Sequence, residues 1–197
     1  MSTSGLIAEE SVTAADRERL SQFRCRGCGE CCHLRIPVTD LDVRRIRDAT
    51  GRTAEELVEF VPPAEFRGDN AHLDWIWFGP RRNSRRVMCL KEVDGHCMYL
   101  DENNRCGGYE YRPTVCRIHP FILEMCERDE QVEGVEFNDG CECAGTCDGQ
   151  NSLEDIISVH QASNSEDVNY RSLVARWNRN RRARTEAEFL AFLGLGA

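Results

Sequence analysis

The sequence predicts a small α+β fold: an irregular, cysteine-rich metal-binding domain with short strands and flanking helices. Three observations lead there. Twelve cysteines stand among 197 residues and are gathered in clusters. Short aromatic and β-branched runs fill the middle of the chain, and helical periodicity marks both ends. A single core serves chains of about 100 to 200 residues. The expected organisation is therefore a tail and short helix over 1–22, a cysteine-cluster domain over 23–148 and a helical extension over 149–197.

Thr13 to Phe23 has the composition of a short helix leading into the first cysteines. Thr39 precedes LDVRRIRDAT, where Leu41, Val43 and Ile46 form an apolar stripe and Gly51 sits where a helix would stop. Thr53 and Glu56 have capping-box spacing, so a second helix is expected through Leu57, Val58 and Val61 until Pro62-Pro63 ends it. HLDWIWF (72–78), RVMCL (86–90) and HCMYL (96–100) read as strands separated by turn-like GPRRNS and EVDG, and QVEGVEF (131–137) as one more. Asn103-Asn104 marks a turn. Arg112-Pro113 reads as a rigid turn opening a helix at Thr114. Ser152 and Asp155 suggest a cap for a helix carrying Val168, Tyr170, Leu173, Val174 and Trp177 on its apolar face, and Thr185 with Glu188 repeats that cap before EFLAFLGL.

A net charge of −9 argues against non-specific attraction to nucleic acid, which needs clustered cations. The first twenty residues show no basic segment followed by an apolar run, and no stretch approaches the roughly 20 apolar residues that span a bilayer. A cytoplasmic chain with no membrane partner is expected. In that reducing compartment, clustered cysteines indicate metal or redox chemistry rather than a disulfide framework. The arginines of RWNRNRRAR (176–184) and Arg81, Arg82, Arg85 and Arg86 read first as solvated faces, and second as docking sites for an acidic redox partner protein.

FRCRGCGECCH places Cys25, Cys28, Cys31 and Cys32 within eight positions. Thiolates two residues apart curl around one ion because the intervening turn aims its N–H groups at the sulfurs. The run opens like a bacterial ferredoxin motif, but Cys32 follows Cys31 directly and no proline comes after it. Adjacent side chains diverge on an extended backbone, which would send Cys31 and Cys32 to different centres. Cys97, Cys106 and Cys116 supply further ligands, and one of Cys141, Cys143 and Cys147 would bring the total to eight. Eight thiolates suit two four-coordinate centres, cuboidal iron–sulfur clusters or tetrahedral zinc sites. Cys89 and Cys126 stand alone, and Cys89 reads as a small core residue. His33, His96 and His119 adjoin these cysteines and are further candidate ligands or hydrogen-bond partners.

CRGCGECC, DGHCMYL and CGGYEYRPTVCRIHP together resemble the YkgJ-type cysteine-cluster family, described as zinc- or iron-chelating and often labelled Fe–S oxidoreductases. The resemblance spans roughly 23–145 and implies Cys25, Cys28, Cys31, Cys32, Cys97, Cys106 and Cys116 as metal ligands. The family's late cysteine before a glycine fits Cys143-Ala144-Gly145 best, making Cys143 the eighth. His119 departs from the pattern by standing where an aromatic residue is usual. A domain of this kind occurs in a longer flagellin lysine N-methylase, but no glycine-rich loop here offers a seat for a methyl donor, so that activity is not carried over. The expected cofactor is one or two iron–sulfur clusters, of the [4Fe–4S] type, acting in redox or electron transfer, and the alternative is zinc or iron ions in a non-catalytic interaction module. Arg112 or Arg117 would offset the charge of a thiolate-bound centre.

Overall fold

The computed structural model describes residues 14–23, 25, 28–66, 73–79, 84–125, 132–137, 153–180 and 184–196. The chain runs α1 (Ala14–Gln22), a 3-10 turn (Glu30–His33), α2 (Asp40–Thr50), α3 (Ala54–Leu57), β1 (Val58–Val61), β2 (Ile76–Phe78), β3 (Ser84–Leu90), β4 (Glu92–Val93), β5 (His96–Cys97), α4 (Thr114–Ile118), β6 (Phe121–Met125), β7 (Val132–Phe137), α5 (Leu153–Arg179) and α6 (Glu186–Phe192). This is the α+β, cysteine-rich fold the sequence predicts. Among the described residues no helix is long and apolar enough to cross a membrane.

The main sheet has order β1-β3-β2, all antiparallel, with Val58 opposite Leu90 and Ile76 opposite Arg86. β3 alternates as a strand must: Met88 and Leu90 join the main core, while Val87 and Cys89 pack with Val61 in a smaller cluster. Cys89 is 0% exposed, and burial pushes its thiol up to about 12. It is the inert core residue its lone position suggested.

The helix expected through Val61 lasts one turn. Thr53 and Glu56 do form the capping box, but the chain becomes a strand at Val58. Val58, Phe60 and Val61 are β-branched or aromatic and find a full partner in β3, so pairing overrides the helical pattern. A second strand pair, β6 with β7, forms outside the main sheet, with Phe121 opposite Phe137. Of this pair only β7 was legible as a strand.

α5 lays Tyr170, Val174 and Trp177 on the core beside Phe189 and Leu190 of α6. Val168, expected on that face, is 60% exposed. Trp177, Phe189, Phe60 and Phe78 meet edge-on, with Trp177 and Phe189 centroids 5.0 Å apart. The end of α5 also covers the β2 edge. Trp177 Nε1 donates to the Trp77 carbonyl at 3.0 Å, and the Asn178 side chain accepts from Trp77 N and donates to Trp75 O. Two of the C-terminal arginines are not simply solvated: Arg176 lies over Phe192 and Arg184 over Trp177, while Arg181 and Arg182 lie outside the described residues. Arg86 hydrogen-bonds the Phe60 carbonyl and Arg85 lies over Trp75, whereas Arg81 and Arg82 lie outside the described residues.

Candidate metal centre

Four stretches of chain bring sulfur to one place, each held by a local device. The first is the 3-10 turn, entered through Gly29 at φ +80° and closed by Cys32 N donating to Gly29 O at 2.8 Å. Its exit is tied to the end of β3: Leu90 N donates to Ile36 O, and Val38 N to Met88 O. The second is the β4–β5 hairpin. Asp94 and Gly95 both adopt positive φ, the primed turn that matches strand twist, and Cys97 ends it. The third is a loop in which Asp101 Oδ1 accepts from the Asn103 and Arg105 amides, returning Cys106 to pair with Leu100. The fourth is α4, which carries Cys116 and whose Thr114 amide donates to Asp42 Oδ1 at 2.8 Å.

Cys25, Cys28, Cys31, Cys32, Cys97, Cys106 and Cys116 all line a single cavity. Its remaining walls are mostly apolar or aromatic, with Phe23, Ile36, Leu90, Tyr99, Tyr109 and Tyr111 among them. Cys126, Cys141, Cys143 and Cys147 lie outside the described residues, so the eighth position falls there too.

Within the cavity an inner quartet is hydrogen-bonded through Cys32, which is 2% exposed and contacts Cys106, Cys31 and Cys97. Those contacts hold the proton on Cys32, pushing its pKa up. They favour thiolate at the partners: Cys31 is lowered to about 7 and Cys106 to about 6, and Cys97 also falls. Burial opposes the drop at each, while the Arg112 guanidinium assists at Cys31 and Cys106. Cys116 behaves oppositely: burial, then the neighbouring sulfurs and Asp42, raise it well above the ordinary thiol range. The divergence expected for Cys31 and Cys32 does not occur. Both sit in the 3-10 turn rather than on an extended backbone, and their sulfurs meet.

Among the described residues no three His, Cys, Asp or Glu side chains stand ready-made around an ion. The thiols contact one another instead. The donor chemistry nevertheless fits a soft cation, because thiolates are the ligand form and a metal takes the place of protons they share. The histidines divide. His119 lines the cavity, and burial lowers its pKa. His33 and His96 are not in the wall and pair with each other outside it. Arg112 likewise lines the wall, 4.0 Å over the Tyr109 ring, whereas Arg117 is exposed and does not.

One residue was missed in the sequence. Asp42 is 2% exposed and accepts from Thr39 N, Thr39 Oγ1, Thr114 N, Thr114 Oγ1 and Arg45 Nη1. Arg45 continues to Glu166 on α5 at 3.0 Å. One carboxylate thus joins the start of α2 to the helix carrying Cys116. Its signal was the Thr39-x-x-Asp42 spacing of a capping box, realised in the structure.

Gly29 is also indispensable to the turn. A Cβ there would lie 2.5 Å from the Asn104 carbonyl oxygen and against Leu100 Cδ1, on a backbone that L side chains rarely adopt. Gly29→Ala is expected to cost more than about 2 kcal/mol, read as a lowered denaturant midpoint. A wild-type midpoint would show that the turn accommodates a side chain.

Such an assembly of thiols from four chain segments, with three drawn toward thiolate, defines a cysteine-rich metal-binding protein. Consistent with this, residues 24–142 match the CxxCxxCC family model, described as "Putative zinc- or iron-chelating domain", and the chain belongs to that family. The matched range includes Cys141 and stops one residue before Cys143. No curated protein and no solved structure matches the chain.

Proposed function

We propose that the cavity holds one or two iron–sulfur clusters, of the [4Fe–4S] type, and that the protein transfers electrons to or from a partner. The observation that carries this reading is the number of thiols in one cavity: seven, more than the four that one tetrahedral zinc ion or one [4Fe–4S] cluster takes, and close to the eight that a pair of clusters would use. Cys25, Cys28, Cys31, Cys32, Cys97, Cys106 and Cys116, with Cys143 as the eighth, would supply the ligands, four to each cluster. A bound cluster supplies an electron couple whose potential follows net charge, hydrogen bonds to sulfur and exposure. The chain's own contribution is a mostly apolar wall, the amides of Tyr99 and Gly108 directed at Cys97 and Cys106, and the Arg112 charge.

Purification without oxygen, followed by iron and acid-labile sulfide analysis with visible and EPR spectra, tests the proposal. Iron and sulfide in equal amounts support it; stoichiometric zinc without sulfide overturns it. One observation favours that second reading: the hydrogen-bonded quartet of Cys31, Cys32, Cys97 and Cys106 is the number and type of ligand a structural zinc ion requires. A static, non-catalytic interaction module follows in that case.

Arg112 supplies a further test. Arg112→Gln removes a positive charge from the cavity wall, so the oxidised, less negative centre is favoured and the midpoint potential falls. Arg117→Gln, from outside the wall, should leave it near the wild-type value. Equal shifts in both variants would reduce Arg112 to a structural role.

A further inference from the structure

The two histidines outside the cavity form an arrangement of their own. His33 follows Cys32 and His96 precedes Cys97, so each is one peptide bond from the inner quartet but on the outer side of the chain. Their ring centroids are 6.1 Å apart with planes at 77°. His33 is exposed and His96 half-buried. His96 Nδ1 lies 3.2 Å from the Cys97 carbonyl oxygen. A carbonyl can only accept, so the neutral ring keeps its proton on Nδ1 and leaves the Nε2 lone pair unprotonated. Backbone carbonyls orient metal-binding imidazoles in this way.

We infer that His33 and His96 form an exchangeable two-histidine site for a borderline divalent transition ion, distinct from the thiol cavity. Geometry permits it. With metal–nitrogen bonds of about 2.0 Å, each ring centroid lies about 3.2 Å from the ion, so two rings span about 5 Å at a tetrahedral angle and about 6.4 Å when opposite. The observed 6.1 Å falls between these limits, and the His33 side chain is exposed. Neutral imidazole favours zinc, nickel and copper over magnesium or calcium. Exposed Glu30 and Asp94 lie in the same turns as the two rings, and the chain's net charge is −9. With two protein ligands, water completes the coordination, making the site weaker and faster to exchange than the cavity. Its place, one residue outside Cys32 and Cys97, is where an incoming ion would first be held.

Ni²⁺ is the probe, because it suits imidazole and does not oxidise thiols. The untagged full chain, purified without oxygen and retaining its cavity-bound metal, is titrated by calorimetry while that metal is assayed in parallel. One additional equivalent of Ni²⁺ is expected, with no release of resident metal. His33→Gln and His96→Gln should each weaken it by at least about tenfold, since either removes the chelate, and both should retain their cavity metal. Unchanged Ni²⁺ affinity in both variants, absence of an additional equivalent, or release of cavity metal in step with uptake would each overturn the inference.

Discussion

Cys32→Ser is expected to strip the protein of its metal and to lower its stability more than any other single cysteine change. Cys32 is the sulfur that Cys31, Cys97 and Cys106 all contact, and it also belongs to the hydrophobic core. Serine keeps the shape but supplies a hard, protonated oxygen where a soft thiolate is needed. Because the proposed ligands come from four separate stretches of chain, binding free energy would be folding free energy, and structural metal sites contribute on the order of 10 kcal/mol. Metal content by elemental analysis and the chelator concentration at half-unfolding are the readouts. Cys89→Ala is the control, since that thiol is equally buried but faces the smaller cluster on the other side of β3. It should lose stability while retaining full metal. Equal metal retention in the two variants would remove Cys32 from the ligand set.

Asp42→Asn should cost about 3–5 kcal/mol, the usual penalty for breaking a buried, hydrogen-bonded ion pair. The amide presents an N–H₂ group where both oxygens now accept, and Arg45 loses one of its two carboxylate partners, keeping Glu166. The consequence extends to the site. The Thr114 amide loses a charged acceptor, so the helix that carries Cys116 is less firmly held and metal affinity falls with stability. Glu166→Gln touches the same network from a more exposed position, and about 1–2 kcal/mol is expected there. Chemical denaturation of both variants gives the comparison. An Asp42→Asn protein no less stable than Glu166→Gln would refute the central role of that carboxylate.

The candidate site was legible in unusual detail because its signals are short and chemical. Cys25-x-x-Cys28-x-x-Cys31-Cys32 needs thiols and a tight turn at fixed spacing, and packing alone demands neither. The hairpin before Cys97 and the cap of α6 were visible for the same reason, since a turn or cap depends on residues three or four apart. The β1 segment shows where such reading ends. Thr53 and Glu56 specify how a helix starts, and they do so here, but its length depended on whether Val58 would find β3, a partner about 30 residues away. Val168 similarly fits the helical period yet is 60% exposed.

By itself, then, the order of residues determined the donor chemistry: which cysteines are grouped, that metal is the reason, and that Cys89 stands apart. Only the tertiary structure decided that seven of the thiols share one cavity, that Cys31 and Cys32 turn toward each other, that Arg112 rather than Arg117 reaches the wall, and that His33 and His96 meet outside it. The physical reason is range. Ligand type and turn formation are local properties of a few neighbouring residues, whereas convergence and facing depend on strand parity and on contacts such as Asp42 with Thr114, 72 positions apart in sequence.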